Sequence, residues 1–151
     1  MIPIRKILCA VDFSDINSII AEYAKYLAKA IKADLVVVYV VPSLSQYVGF
    51  HVPNSSIENF VSEIVSGAES TMEAYLKENF IDFKVTGKVV IGCVAEKIIS
   101  VAETENVDLV IMGTHGRKGI NRILFGSVAE KVVKGSPWPV ITIRPEIYPA
   151  Y

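Results

Sequence analysis

Seven consecutive apolar residues, LVVVYVV at positions 35–41, stand between Asp34 and Pro42. Five of the seven are valine. A strand with one wet face alternates apolar and polar side chains, so an unbroken β-branched run describes a strand covered on both faces. The run is far too short to cross a bilayer. A strand buried on both sides needs a layer of structure above it and another below. Its natural setting is a parallel sheet with helices on each face.

The rest of the chain supplies those layers. Residues 7–11 form a second short apolar run. Ser14 or Asp15 is placed to cap a helix whose apolar stripe is Ile16, Ile19, Ile20, Tyr23, Ala24, Leu27, Ala28 and Ile31. Residues 42–56, with prolines, serines, Gly49, Tyr47 and Phe50, read as a variable loop, long enough to suggest a functional role. Ser55 with Glu58 reads as a capping box for a helix carrying Ile57, Phe60, Val61, Ile64, Val65, Ala68, Met72 and Leu76 on one face. Residues 84–91 read as a strand with a possible bulge at Gly87. A short helix over 95–105 turns Ile98, Ile99 and Ala102 inward, and 108–112 is another buried strand. A glycine-bearing loop leads to a helix over 127–134, stopped by Gly135 and Pro137. Residues 140–143 are the last strand, and the tail 146–151 is peripheral. Five strands joined by helical crossovers predict an α/β domain with a doubly wound, mainly parallel sheet. Ligands of such sheets sit beyond the carboxyl ends of the strands, which directs attention to Asp12, Pro42, Gly92 and Gly113.

Length and charge narrow the function classes. At 151 residues the whole chain, 1–151, reads as one domain. Fifteen basic against 16 acidic residues, a net charge of -1, argue against nucleic-acid or membrane-surface binding through bulk charge. Cys9 and Cys93 have no CxxC spacing, and no cleavable leader is evident. The expectation is a reduced, cytoplasmic protein.

The strongest chemical signal is Gly113-Thr114-His115-Gly116-Arg117-Lys118-Gly119, followed downstream by Gly126-Ser127 opening a helix. Glycines admit close approach of a ligand to the backbone. A helix start presents free amides to an anion. Arg117, Lys118 and Arg122, with no acid between Gly113 and Phe125, add a local positive field. Together these describe a phosphate cradle. The same residues also fit a solvated loop ahead of a Ser127–Glu130 capping box, and the residues alone leave both readings open. There is no GxxxxGK[ST] and no GxGxxG, so neither a P-loop nor a classical dinucleotide fingerprint is present. Gly116 to Gly119 resembles the GxxG clamp of RNA-binding modules, but it follows a strand. His115 and His51 are poor candidates for a catalytic base, and no GxSxG elbow exists.

The pattern Gly113-x2-Gly116-x9-Gly126-Ser127 carries a resemblance. With Val11-Asp12-Phe13-Ser14 after the first strand and Pro137-Trp138-Pro139-Val140 before the last, it resembles the ATP-binding group of the universal stress protein family, over residues 6–144. The resemblance implies a five-stranded sheet in the order 3-2-1-4-5 with helices on both faces, and a switch point that sets Asp12 beside Gly113. It implies that Asp12 and Gly113 contact the nucleoside, that Met112 is among the binding residues and that Val40 offers backbone groups to the adenine; the alternative for Asp12 is a helix cap for Ser14 to Asn17. Gly116, Arg117, Gly126, Ser127 and Val128 would hold the phosphates. ATP is the implied cofactor, with any Mg2+ carried by the phosphates. Ala10 departs from relatives that carry proline there. The implied function is a nucleotide-dependent regulatory or stress-response module. It would work as a homodimer through Val140–Ile143, with a protein partner still to be identified. An interaction or chaperone-like protein with a vestigial site, and a slow ATPase, are the alternatives.

Overall fold

The computed structural model describes residues 2–14, 16–43, 54–114 and 126–144. Five strands, β1 (Lys6–Val11), β2 (Asp34–Pro42), β3 (Val85–Gly92), β4 (Leu109–Gly113) and β5 (Val140–Ile143), form one sheet in the order β3-β2-β1-β4-β5. Every pairing is parallel. Helices α1 (Asn17–Ile31) and α2 (Asn54–Asn79) cover one face, and α3 (Val94–Thr104) and α4 (Ser127–Gly135) cover the other. The expected strand order and the two helical layers are therefore both present.

The apolar run behaves as its composition requires. Leu35, Val37 and the α1/α2 side chains share one core, and Val36, Val38 and Val40 share the other with α3 and α4. β1 feeds both in the same way, Ile7, Cys9 and Val11 to one side and Leu8 and Ala10 to the other.

Several local expectations change. α1 begins at Asn17, and its N-cap position, Ile16, makes no side-chain capping bond, so Ser14 is not the cap; Asp15 lies outside the described residues. Its buried face centres on Ile20, Ala21, Ala24 and Ala28, while Tyr23 and Ile31 are exposed. Alanines let the helix axis sit close to the sheet and leave large side chains to the flanks. The segment expected as a loop over 42–56 is shorter. Pro42 pairs with Gly92 in the sheet, and α2 is already under way at Asn54, so Ser55 sits inside the helix rather than at a capping box. Tyr47 and Phe50 lie outside the described residues, as does the tail. Gly87 is not a bulge. It stays in register opposite Val37, and a Cβ there would lie 2.7 Å from Leu76 Cδ1 and 2.8 Å from Met72 Cγ. The missing side chain lets α2 settle onto β3.

Candidate functional site

Three strands end at different levels along the carboxyl edge, where open sheets of this kind form their ligand crevice. The β1–β2 ladder stops at Val11↔Tyr39 and the β1–β4 ladder at Ala10↔Met112. The β2–β3 ladder runs on to Pro42↔Gly92. Residues 40–42 of β2 thus extend past β1, with no strand on that side among the described residues. The chain leaves the sheet at Asp12, between this overhang and the end of β4. Carrying the β1–β4 register forward sets Val11 opposite Gly113 and Asp12 opposite Thr114, one residue beyond the expected neighbour. The winding direction of the sheet reverses at this point.

The turn after β1 is tightly specified. Phe13 has φ 61°, the left-handed region, which costs a non-glycine residue roughly 1–2 kcal/mol. Hydrogen bonds hold it there. The Ser14 N–H donates to Asp12 Oδ1 at 3.0 Å, an Asx turn. Asn17 Nδ2 donates to the same Oδ1 at 2.8 Å, and the Asp12 N–H donates back to Asn17 Oδ1 at 3.2 Å. The Phe13 ring packs on Tyr39 at 4.5 Å between centroids and edge-on to Tyr75 at 5.8 Å. Asp12 Oδ2 accepts no hydrogen bond among the described residues.

The opposite wall is the start of α4. Gly126 is its N-cap, extended at φ −71° and ψ 159°, with no side-chain cap. The Ser127–Glu130 capping box is therefore not formed. Ser127 is already helical, and Glu130 instead accepts from Lys134 at 2.6 Å. The Gly126 N–H donates to the Thr114 carbonyl at 2.7 Å, and the Thr114 N–H donates to the Ile143 carbonyl at 3.0 Å. These bonds fasten the head of α4 to the ends of β4 and β5. Below it Ala129 and Val132 are buried against the α3 side of the core, which fixes the helix axis. With no side-chain cap among the described residues, the first-turn amides and the positive end of the helix dipole are directed at one place.

Of the residues expected at the site, Asp12, Val40, Met112, Gly113, Gly126, Ser127 and Val128 are described. The strand ends bring Asp12, Gly113 and the overhang bearing Val40 together, and the Gly126–Thr114 bond brings α4 to them. Met112 is 5% exposed and its side chain packs into the core on the α3/α4 side, which leaves only its backbone groups to a ligand. Val40 is likewise buried, so its contribution is limited to backbone groups. Gly116, Arg117, Lys118, Arg122 and His115 lie outside the described residues, as does His51. The glycine at 126 is not demanded by its backbone angles, which any residue adopts. The Asp12 carboxylate does accept from the Ser14 N–H, in keeping with its alternative reading as a cap, but sequence reasoning missed the bracing side chain of Asn17 and missed Tyr75 altogether. The spacing Asp-x-Ser-x-x-Asn over residues 12–17 was the available signal for the first. No cluster of three metal-ligating side chains occurs among the described residues, and no helix among them is long and apolar enough to cross a membrane.

Comparison with known proteins places this geometry. The model of the universal stress protein family matches residues 3–144. A universal stress protein of Methanocaldococcus jannaschii is 34% identical over 154 aligned residues, covering 93% of this chain and 94% of the relative. The solved structure of that protein matches with a TM-score of 0.81 at 30% identity, over 97% of this chain and 100% of its own. Two more distant solved structures share the fold. One, from Archaeoglobus fulgidus, is in complex with dAMP, with a TM-score of 0.53, 22% identity, and 93% and 98% of the two chains covered. The other is in complex with cAMP, with a TM-score of 0.60, 18% identity, and 95% and 98% covered.

Proposed function

The chain belongs to the universal stress protein family, and from that premise we propose that it binds ATP in the crevice between β1 and β4 and acts as a nucleotide-dependent regulatory module. The observation that carries the reading is the head of α4, which has no side-chain cap and is fastened beside the turn that presents Asp12. A helix start of this kind suits an anion, and the Asp12 carboxylate suits a donor on a nucleoside. The dAMP and cAMP complexes of two relatives of this fold are consistent with an adenine nucleotide.

In this reading Asp12 Oδ2 accepts from the nucleoside, and Gly113 leaves room beside it. The overhanging backbone at Val40 meets the adenine. Gly126, Ser127 and Val128 direct amides at the phosphates, joined by Gly116 and Arg117. Mg2+, when present, would be held by phosphate oxygens and water, since the described residues contain no cluster of three metal-ligating side chains. The reading is one of binding, with no residue assigned to turnover. A cytoplasmic homodimer, paired through β5, belongs to the same proposal.

Mass spectrometry of small molecules released by denaturing the purified protein tests the reading directly. The expected result is ATP or a breakdown product, together with saturable displacement of a fluorescent ATP analogue by ATP. Absence of both a co-purified nucleotide and displacement would leave a vestigial site and favour a pure interaction protein.

A further inference from the structure

We propose that Asn17 is a positioning residue that presents Asp12 to the ligand through one carboxylate oxygen. The proposal rests on the nucleotide reading above.

The side chain of Asn17 is 2% exposed, an unusual place for an amide at the mouth of a helix. Such a group must be hydrogen-bonded, and here every bond runs to the Asp12 turn. Nδ2 donates to Asp12 Oδ1 at 2.8 Å, to the Ser14 carbonyl at 2.6 Å and towards Ser14 Oγ at 3.1 Å. Oδ1 accepts the Asp12 N–H at 3.2 Å. This network fixes the orientation of the amide, since a flipped Asn17 would set oxygen against two oxygens. Asn17 is held in turn from behind. The buried hydroxyl of Tyr75, on α2, donates to the Asn17 carbonyl at 2.7 Å. The Tyr75 ring also supports Phe13, the strained residue next to Asp12.

The consequence lies in the carboxylate. Oδ1 already accepts from Asn17 and from the Ser14 N–H, which uses its in-plane lone pairs. Oδ2 is left as the acceptor for a ligand. The carboxylate plane cannot swing, because turning it would break both bonds. Asp12 is thus pre-organised for a neutral donor on the nucleoside, a hydroxyl or an amine. Asn17 makes no contact with the ligand in this scheme. It acts through Asp12, and the phosphates are indifferent to it.

A double-mutant cycle separates this role from a merely structural one. Adenosine, ATP and inorganic triphosphate are titrated by calorimetry against the parent, Asp12→Ala, Asn17→Ala and the double variant. Thermal melts confirm folding. Asn17→Ala is expected to weaken adenosine and ATP at least fivefold and to leave inorganic triphosphate within twofold. The double variant is expected to bind no more weakly than Asp12→Ala alone. If Asn17→Ala does not fold, Asn17→Ser places a neutral hydroxyl at the same position without setting a second carboxylate against Asp12, and the same outcomes are read from it. Losses that add in the double variant, or an Asn17 variant with parental adenosine affinity, overturn the positioning role while the site itself stands. Parental affinity in Asp12→Ala overturns the site assignment and this role with it.

Discussion

Gly126 occupies the N-cap of α4 in an extended conformation open to any residue. Aspartate is among the best N-cap residues, because its carboxylate accepts from the free amides of the first turn. Gly126→Asp should therefore keep the melting temperature or raise it slightly, while filling the anion position with a fixed negative charge. We expect ATP affinity to fall at least tenfold, read by displacement titration. A folded variant with parental ATP affinity would remove the phosphates from this helix. Cys9 illustrates a different consequence of position. It lies in the middle of β1 with no exposed surface, and burial pushes its thiol up to about 12 from 9.0. The folded state holds this proton more tightly than the unfolded chain does. The resulting stabilisation is complete below about pH 9 and is lost as pH rises towards 12. Burial raises the Tyr75 phenol in the same direction. Urea unfolding of Cys9→Ala between pH 7.5 and 11 should show a shallower alkaline decline than the parent, whatever the offset from the lost sulfur. An unchanged slope would show that Cys9 does not set it.

At the scale of elements, α2 and β3 meet across Gly87. A Cβ there needs the Leu76 and Met72 side chains to move, and a β-branched side chain crowds them further. Gly87→Val should destabilise by about 1–3 kcal/mol despite the better strand propensity of valine. Denaturant midpoints measure this; a stabilised variant would mean that α2 adjusts freely on the sheet. On the other face, Glu105 just beyond α3 gathers Lys6 of β1, at 2.7 Å, and Lys88 of β3. Hydrogen bonds from the two lysines hold its carboxyl below the usual 4.5. The stability from this cluster is present above that value and is lost as pH falls through the lowered one. Glu105→Gln should be less stable than the parent at pH 7, and the gap should narrow on acidification, as chemical unfolding at pH 3–7 can show.

At the scale of the whole molecule, the open question is the edge of the sheet at β5. The Val110 N–H donates to the Pro139 carbonyl and the Thr114 N–H to the Ile143 carbonyl. Odd-numbered residues of β5 therefore turn their backbone groups towards β4. Strand alternation turns those of Val140 and Thr142 outward, where no strand lies among the described residues. A second copy pairing antiparallel across a two-fold axis would satisfy them. Thr142→Pro removes an outward donor and spares the ladder to β4. Light scattering at tens of micromolar should find a dimer for the parent and mainly monomer for the variant. A monomeric parent would exclude this interface.

The sequence by itself determined the layers, because a run apolar at every position admits no wet face and helical stripes at 3.6 spacing must cover it. It also marked Asp12, Gly113 and Gly126 as strand-end and helix-start residues, since glycine and aspartate there break otherwise apolar patterns. Their meeting at the mouth of the sheet was legible through family resemblance, not through spacing, because strand order is a property of crossovers. The capping box read at Ser55, and the one left open as an alternative at Ser127, both fall inside their helices for a related reason. A capping motif shows that a helix start is near, but its boundary moves by a residue when packing holds the next turn, as the sheet does at Gly126. Only the tertiary structure decided that Gly87 is a seat for α2 and that Met112 belongs to the core. It also decided that Asn17, a polar residue in an apolar stripe, is buried to hold Asp12. Each of these depends on which distant side chains arrive at the same point, and one-dimensional periodicity carries no record of that.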